Sequence, residues 1–243
     1  MKVTKELAES VTDSAPDRVY AIGDIHGEAS RLQAIHAAIR QDLVDSPAEH
    51  ALIVHLGDFI DRGPDPAKCL TLLAAGSPVE SVRSVCLMGN HERMLLDALA
   101  DPAKSDLWLH NGGATTLESW GLPAETPVSE WATRIPPEHL DFIRDLALSY
   151  EAGRYLFVHA GVRPGIRLSM QVPQDLLWIR SEFLRWSGTM LPDMPETLIV
   201  HGHTPSEAPE VLSNRIGIDT GACRGGKLTC AALSKDSVYF LQA

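Results

Sequence analysis

Unbroken apolar runs alternate along the first hundred residues with stretches in which apolar residues recur every three or four positions. The run in RVYAIGD ends in Gly23-Asp24 and reads as a buried strand entering a loop. In ASRLQAIHAAIRQDLV, Leu32, Ile35, Ile39 and Leu43 recur at helical spacing. ALIVHLGD is a second strand ending in Gly-Asp, and DPAKCLTLLAAG a helix closed by Gly76. SVRSVCLMGN predicts a third strand ending in Gly-Asn, and HERMLLDALA a third helix, broken at Asp101-Pro102. This β-loop-α repetition predicts parallel strands with helices packed on the faces. Ligands of such sheets bind at the carboxyl ends of the strands. The polar loops beginning at Gly23, Gly57 and Gly89 all fall there and are expected to converge.

The pattern then changes. Residues 105–146 are helix-like and form an insert whose Trp108, Trp120 and Trp131 are read as core. After them, RYLFVHAGV, TLIVHGHT, NRIGIDTG, KLTCAAL and SVYFLQA are short β-type runs separated by turns. They predict a second, more antiparallel sheet packed on the first. The fold class is therefore α/β, a two-sheet β-sandwich flanked by helices with a helical insert. With no internal repeat and no low-complexity linker, residues 17–243 read as one domain, preceded by a polar stretch, 1–16, read as a flexible tail or short helix.

The chain has 243 residues, 44% hydrophobic and 22% charged, which is enough to bury a core without a disulfide or metal staple. Any metal site is then free to be catalytic. Net charge is -11, from 32 acidic and 21 basic side chains, and no Lys/Arg run offsets it, so nucleic acid is not an expected partner. Cys69, Cys86, Cys223 and Cys230 lack zinc-site spacing and suit free thiols in a reducing cytoplasm. No stretch has the length and apolarity of a membrane span, and the N-terminus carries no apolar signal core. A cytoplasmic location without a membrane partner is expected; the patterns leave oligomeric state open.

Candidate chemistry concentrates in GDIHG (23–27), GDFIDRG (57–63), GNHE (89–92), HAG (159–161) and HGHT (201–204). In each, a β-type run ends in small residues and then presents Asp, Asn or His. The donors mix nitrogen and oxygen without thiolates, which suits manganese, iron or zinc in near-octahedral sites better than structural zinc. Asp24 and His26 flank one residue, so an extended segment points both to one side.

GDxHG, GDxxDRG and GNHE in this order resemble the motif set of the phosphoprotein phosphatase family of calcineurin-like metallophosphoesterases, and most of all its small bacterial and phage members. The resemblance runs from Gly23 to about Leu233 and includes GHTP and DTGA segments. It implies a metallophosphoesterase-like sandwich holding two divalent metal ions, manganese first, with iron or zinc as alternatives. Asp24 and His26 would bind the first metal, Asp58 would bridge, and Asn90, His159 and His203 would complete the second site. Two cations roughly 3.5–4 Å apart clamp the attacking and leaving oxygens of an in-line displacement. The resemblance makes Arg62 a phosphate clamp, His91 the acid that protonates the leaving alkoxide and Asp61 its orienting partner; Arg180, in LLWIRSEF, is a candidate second clamp.

Other residues read more plainly. Glu92 is an early helical residue complementing the dipole, Asp219 a turn residue and His201 a neighbour that orients the ligands. Arg163 and Arg167 either touch phosphate or are solvated. His36, His50, His55, His110 and His139 are surface or core residues. The resemblance implies hydrolysis of phosphate monoesters, with phosphoserine or phosphothreonine proteins first, phosphotyrosine next and other small phosphoesters open, by a metal-bridging hydroxide. Symmetrical diadenosine tetraphosphate hydrolases share the motifs and are the alternative; a phosphate-binding module without turnover is the third. The insert and the loop after HAG are expected to set the choice.

Overall fold

The computed structural model describes residues 16–235 and 237–243, so the stretch read as a tail lies, apart from Pro16, outside the described residues. The first half follows the periodicity: β1 (Arg18–Ile22), α1 (Ala29–Asp45), β2 (Ala51–His55), α2 (Pro66–Ala74), β3 (Arg83–Cys86) and α3 (Asn90–Ala100). β1–β2 and β2–β3 pair in parallel. The stripe read in α1 faces inward, with Leu32, Ile35 and Ile39 buried. Asp65 starts α2 by accepting the Lys68 N–H, and Pro66 follows at the first helical position, where a missing N–H costs nothing.

The insert is helical: α4 (Ser105–Trp108), α5 (Ala114–Ser119), α6 (Val128–Arg134) and α7 (Pro137–Arg144). Trp108 and Trp131 meet edge-to-face with ring centroids 5.2 Å apart and are core residues, whereas Trp120 is only half-buried. Between α4 and α5 the chain kinks at Gly112, whose φ is 108°. Its carbonyl accepts the Arg62 N–H at 3.3 Å, so the insert is stitched to the site loop.

The second sheet begins with β4 (Ser149–Ala152), unmarked in the sequence reading, and continues with β5 (Tyr155–Val158). The chain then passes through α8 (Pro173–Trp178) and α9 (Ser181–Leu184) to β6 (Leu198–His201), β7 (Glu210–Val211) and β8 (Arg215–Gly217). The order is β4-β5-β6-β8-β7. Its two central ladders, β5–β6 and β6–β8, are parallel, which corrects the expectation of a more antiparallel sheet. Parallel neighbours need a long crossover, and the segment carrying α8 and α9 supplies one.

A second correction concerns the last strands. β9 (Thr229–Leu233) and β10 (Val238–Gln242) join the first sheet, giving β10-β9-β1-β2-β3, with β9 antiparallel to β1. An apolar run states that a strand is buried; it does not name its neighbour. Between the sheets lie Ala21, Val54, Leu56, Phe157, Val200, Ile216 and Ala231. Burying each larger side chain contributes roughly 1.5–3 kcal/mol. The seam brings the carboxyl ends of β1, β2, β5 and β6 to one edge.

Candidate active site

Every residue proposed as a metal ligand lies at that edge and is buried: Asp24 and His26 after β1, Asp58 after β2, Asn90 at the start of α3, His159 after β5 and His203 after β6. With Arg62, His91 and Arg180, most of them line one pocket of ≈ 230 Å³. Two larger hollows, ≈ 700 and ≈ 660 Å³, carry no comparable set of donors, so size does not locate the chemistry.

Asp58 sits between two groups of side chains. Its Oδ2 is 3.4 Å from His26 Nε2 and 3.9 Å from His91 Nε2, while its Oδ1 is 3.4 Å from His159 Nε2. The donor atoms of His26, Asp58 and His91 lie within 4.8 Å of one another, and so do those of Asp58, His159 and His203. Tautomers follow from the outer bonds. His26 Nδ1 meets the Ile60 carbonyl and His159 Nδ1 the Leu56 carbonyl, both at 2.9 Å. A carbonyl only accepts, so each Nδ1 carries the proton and each Nε2 keeps its lone pair.

Burial pushes His159 down to about 3, so it is neutral near pH 7. Its Nε2 faces Asn90 Oδ1 at 2.9 Å, one lone pair towards another, and His203 Nε2 is buried with no hydrogen-bond partner. Converging neutral imidazoles, an amide oxygen and a shared carboxylate are the donor set of a binuclear divalent-metal site, and these residues fit one. Asp24 lies beside the two sets, with its carboxylate turned to the His203 N–H at 3.0 and 3.1 Å. Burial first, then the charges of Asp219 and Asp58, push its carboxyl well above the usual range, a cost that neighbouring cations remove.

The backbone is bent to make these approaches. Among the described residues, positive φ outside glycine occurs at His26, Asp58, Asp61, Arg62 and His203, and otherwise only at Ser81. Such conformations cost about 1–3 kcal/mol each and persist where the surroundings over-determine them. At Asp58 the determinant is Glu92, fully buried. Its Oε1 accepts the N–H groups of Phe59 and Ile60 at 2.7 and 3.2 Å, and its Oε2 those of Asp58 and Gly89 at 2.9 Å. Reading Glu92 as a helix-dipole residue understated it: the side chain moulds the loop that aims Asp58. Gly89 is required by proximity, since a Cβ there would stand 2.1 Å from Asp58 Oδ1.

Asp61 and His91 form the expected pair, with Oδ2 and Nδ1 2.6 Å apart. Behind them the insert contributes two donors that sequence reasoning missed. Trp108 Nε1–H reaches Asp61 Oδ2 at 2.9 Å, and the Thr116 hydroxyl reaches Oδ1 at 2.6 Å. Burial outweighs the opposing bonds from Thr116 and Trp108 and leaves the Asp61 carboxyl pushed up to about 8. Donors on both carboxyl oxygens favour the ionised form against that burial, as does the positive charge of Arg62. No local spacing marks either residue, because the contact is tertiary.

Arg62 Nη1 donates to His26 Nε2 at 2.8 Å, and Arg180 Nη1 to Thr204 Oγ1 at 3.2 Å; both guanidinium groups line the pocket. Arg163 does not reach it. Arg163 pairs with Asp175 and Glu182 and lines a separate hollow with Arg167. His201 joins neither donor set; its ring packs edge-on against Phe183 at 4.8 Å. His55 is buried with its Nε2 3.0 Å from that of His36. Asp219 does make a turn, its Oδ1 accepting the Gly221 N–H, yet it also lines the pocket with Cys223 and Arg224. The loop after β8 thus contributes to the rim of the pocket.

Residues 17–228 match the family profile of the calcineurin-like phosphoesterases, and the chain belongs to that family. It is therefore a metal-dependent phosphoesterase with the residues of a binuclear metal site. It is 34% identical over 218 residues to serine/threonine-protein phosphatase 1 of Salmonella typhimurium, covering 88% of this chain and 91% of that protein. It is 27% identical to the asymmetrical bis(5'-nucleosyl)-tetraphosphatase PrpE of Anoxybacillus flavithermus, over 86% of this chain and 87% of that one. A cold-active protein-tyrosine phosphatase from a psychrophilic Shewanella superposes with a TM-score of 0.60 at 18% identity, over 97% of this chain and 83% of that one, a likeness of fold alone. Among the described residues no helix is long and apolar enough to cross a membrane.

Proposed function

We propose that the chain hydrolyses phosphate monoesters of phosphoserine and phosphothreonine proteins by in-line displacement at the Asp58-centred pocket. The observation that carries this reading is the carboxylate of Asp58 shared between two donor sets, beneath the guanidinium groups of Arg62 and Arg180. His26, Asp58, Asn90, His159 and His203, with Asp24 alongside, would hold two divalent cations, with manganese proposed ahead of iron or zinc. Bound there, the cations lower the pKa of water and neutralise phosphate charge. Arg62 and Arg180 grip the phosphate oxygens and set the line of attack. The Asp61 carboxylate fixes the proton on His91 Nδ1 and turns Nε2 to the pocket. Burial first, then the charge of Arg62, hold His91 down to about 3 in the free site. A phosphate dianion seated on Arg62 opposes that charge and favours a proton at Nε2, where the leaving oxygen can take it.

The phosphoprotein substrate is supported by the likeness to a serine/threonine-protein phosphatase. A second reading, cleavage of dinucleoside tetraphosphates, is supported by the likeness to the tetraphosphatase. The deciding measurement is kcat/KM for phosphoserine peptides against diadenosine tetraphosphate, side by side with added Mn²⁺. Phosphate release from peptides with the dinucleotide spared is the expected result; preferential cleavage of the dinucleotide overturns it. Residues 17–243 are taken as one catalytic domain, and a cytoplasmic location is supported by four free cysteines.

A further inference from the structure

Among the arginines that line the pocket, Arg62 donates to His26 and Arg180 to Thr204, whereas the guanidinium of Arg224 makes no hydrogen bond or ion pair among the described residues and only feels the charge of Asp219, which lines the same pocket. Arg224 is exposed and ends a single 3-10 turn, Ala222–Arg224, flanked by Gly221 and Gly225 in left-handed conformation. That turn is braced. Gly221 O accepts the N–H groups of Arg224 and Gly226 at 2.8 and 3.0 Å, and Arg31 Nη1 donates to the Gly226 carbonyl. Thr220 Oγ1 bonds the Lys227 carbonyl and Thr229 Oγ1, both at 2.6 Å. A long cation held on a fixed turn at the rim, near the charge of Asp219 but clasped by no carboxylate, is placed for an anion that enters with the substrate.

One phosphate does not account for three guanidinium groups. Two planar forks already match the oxygens of a monoester dianion, and the two donor sets below them are built for cations. We propose that Arg224 is a specificity residue that binds a second anionic group of the substrate, a phosphate or a carboxylate lying beyond the phosphorus that is hydrolysed. The inference rests on the phosphoesterase reading of the same pocket and narrows its substrates to doubly anionic ones. In a phosphoprotein the second group is an acidic side chain next to the phosphorylated residue. In a small phosphoester it is the next phosphate of the chain.

The test compares wild type with R224A and R224K. Titration of inorganic pyrophosphate and orthophosphate into the Mn²⁺-loaded protein, followed by calorimetry, gives the ratio of the two affinities. R224A is expected to lower the pyrophosphate-to-orthophosphate ratio about tenfold, in the range of a lost charge-assisted hydrogen bond, with R224K in between. The source of the anion is read from kcat/KM ratios. A fall confined to phosphoserine peptides with flanking Asp or Glu, relative to flanking Ala, identifies a carboxylate. A fall confined to diadenosine tetraphosphate, relative to p-nitrophenyl phosphate, identifies a phosphate. Equal losses on every probe, or unchanged ratios, overturn the role of Arg224. Because the calorimetric ratio needs no turnover, a wild type that hydrolyses none of these esters defeats the proposed activity while still testing Arg224.

Discussion

The two sheets deliver their ligands by different means. Loops of the first sheet carry Asp24, His26, Asp58, Asn90 and His91, and the Asp58 loop is moulded from inside by Glu92, which takes up backbone N–H groups from Asp58, Phe59, Ile60 and Gly89. Loops of the second sheet carry His159 and His203 and are tied across the seam instead: His159 Nδ1 to the Leu56 carbonyl, and the His203 N–H to the Asp24 carboxylate. One half is preformed, and the other is registered against it. Damage to the first half should therefore spread to both donor sets.

The largest effect is expected at the residue common to both halves. Asp58→Asn removes the shared negative charge, worth several kcal/mol, and should lower kcat/KM by about 10³-fold or more with the fold intact by circular dichroism. Turnover persisting at normal metal content would falsify the bridging role. Next comes His91→Asn. Loss of a general acid should cost on the order of 10²-fold with alkyl phosphates and far less with p-nitrophenyl phosphate, whose leaving group needs no proton. Equal losses on both esters would assign His91 to metal binding, consistent with its place in the first donor set. Glu92→Gln puts an NH₂ group against N–H donors, and metal affinity should drop by roughly 10–100-fold, read by competition with a chelator. An unchanged affinity would erase the contrast between the halves. Thr116→Val should have the smallest effect on activity. It removes the hydroxyl that bonds Asp61 Oδ1 and accepts the Asp61 N–H, at a cost of about 1–3 kcal/mol in stability, measured as a lower Tm.

What the sequence disclosed follows the same division. In the first half, strand, loop and ligand are contiguous, so GDIHG, GDFIDRG and GNHE could be read straight off the chain and their convergence inferred from parallel topology. What escaped was non-local. Trp108 and Thr116 meet Asp61 only because the insert packs back on α2 and α3, beside the loop after β2. Glu92 looks like any acidic residue in a first helical turn until the loop closes around it. The run KLTCAAL was read as a strand but given to the wrong sheet, because nothing in its pattern distinguishes β1 from β8 as a neighbour. Arg163, next to HAG, had the position of a phosphate ligand, yet its partners Asp175 and Glu182 arrive from later in the chain.

The placement of β9 also has a consequence for how the molecule is made. The strand that ends at Ile22 and delivers Asp24 is flanked on one side by β2, close in sequence, and on the other by β9, near the far end of the chain; the Gly23 N–H bonds the Thr229 carbonyl at 3.0 Å. On a ribosome adding about 5–20 residues per second, β1 waits on the order of ten seconds or more for that second neighbour. Until then its open edge is exposed to other chains, and the Gly23–Asp24 turn lacks one of its anchors. Metal capture should accordingly be a late event in biogenesis, following synthesis of the final strands rather than accompanying the appearance of the ligands.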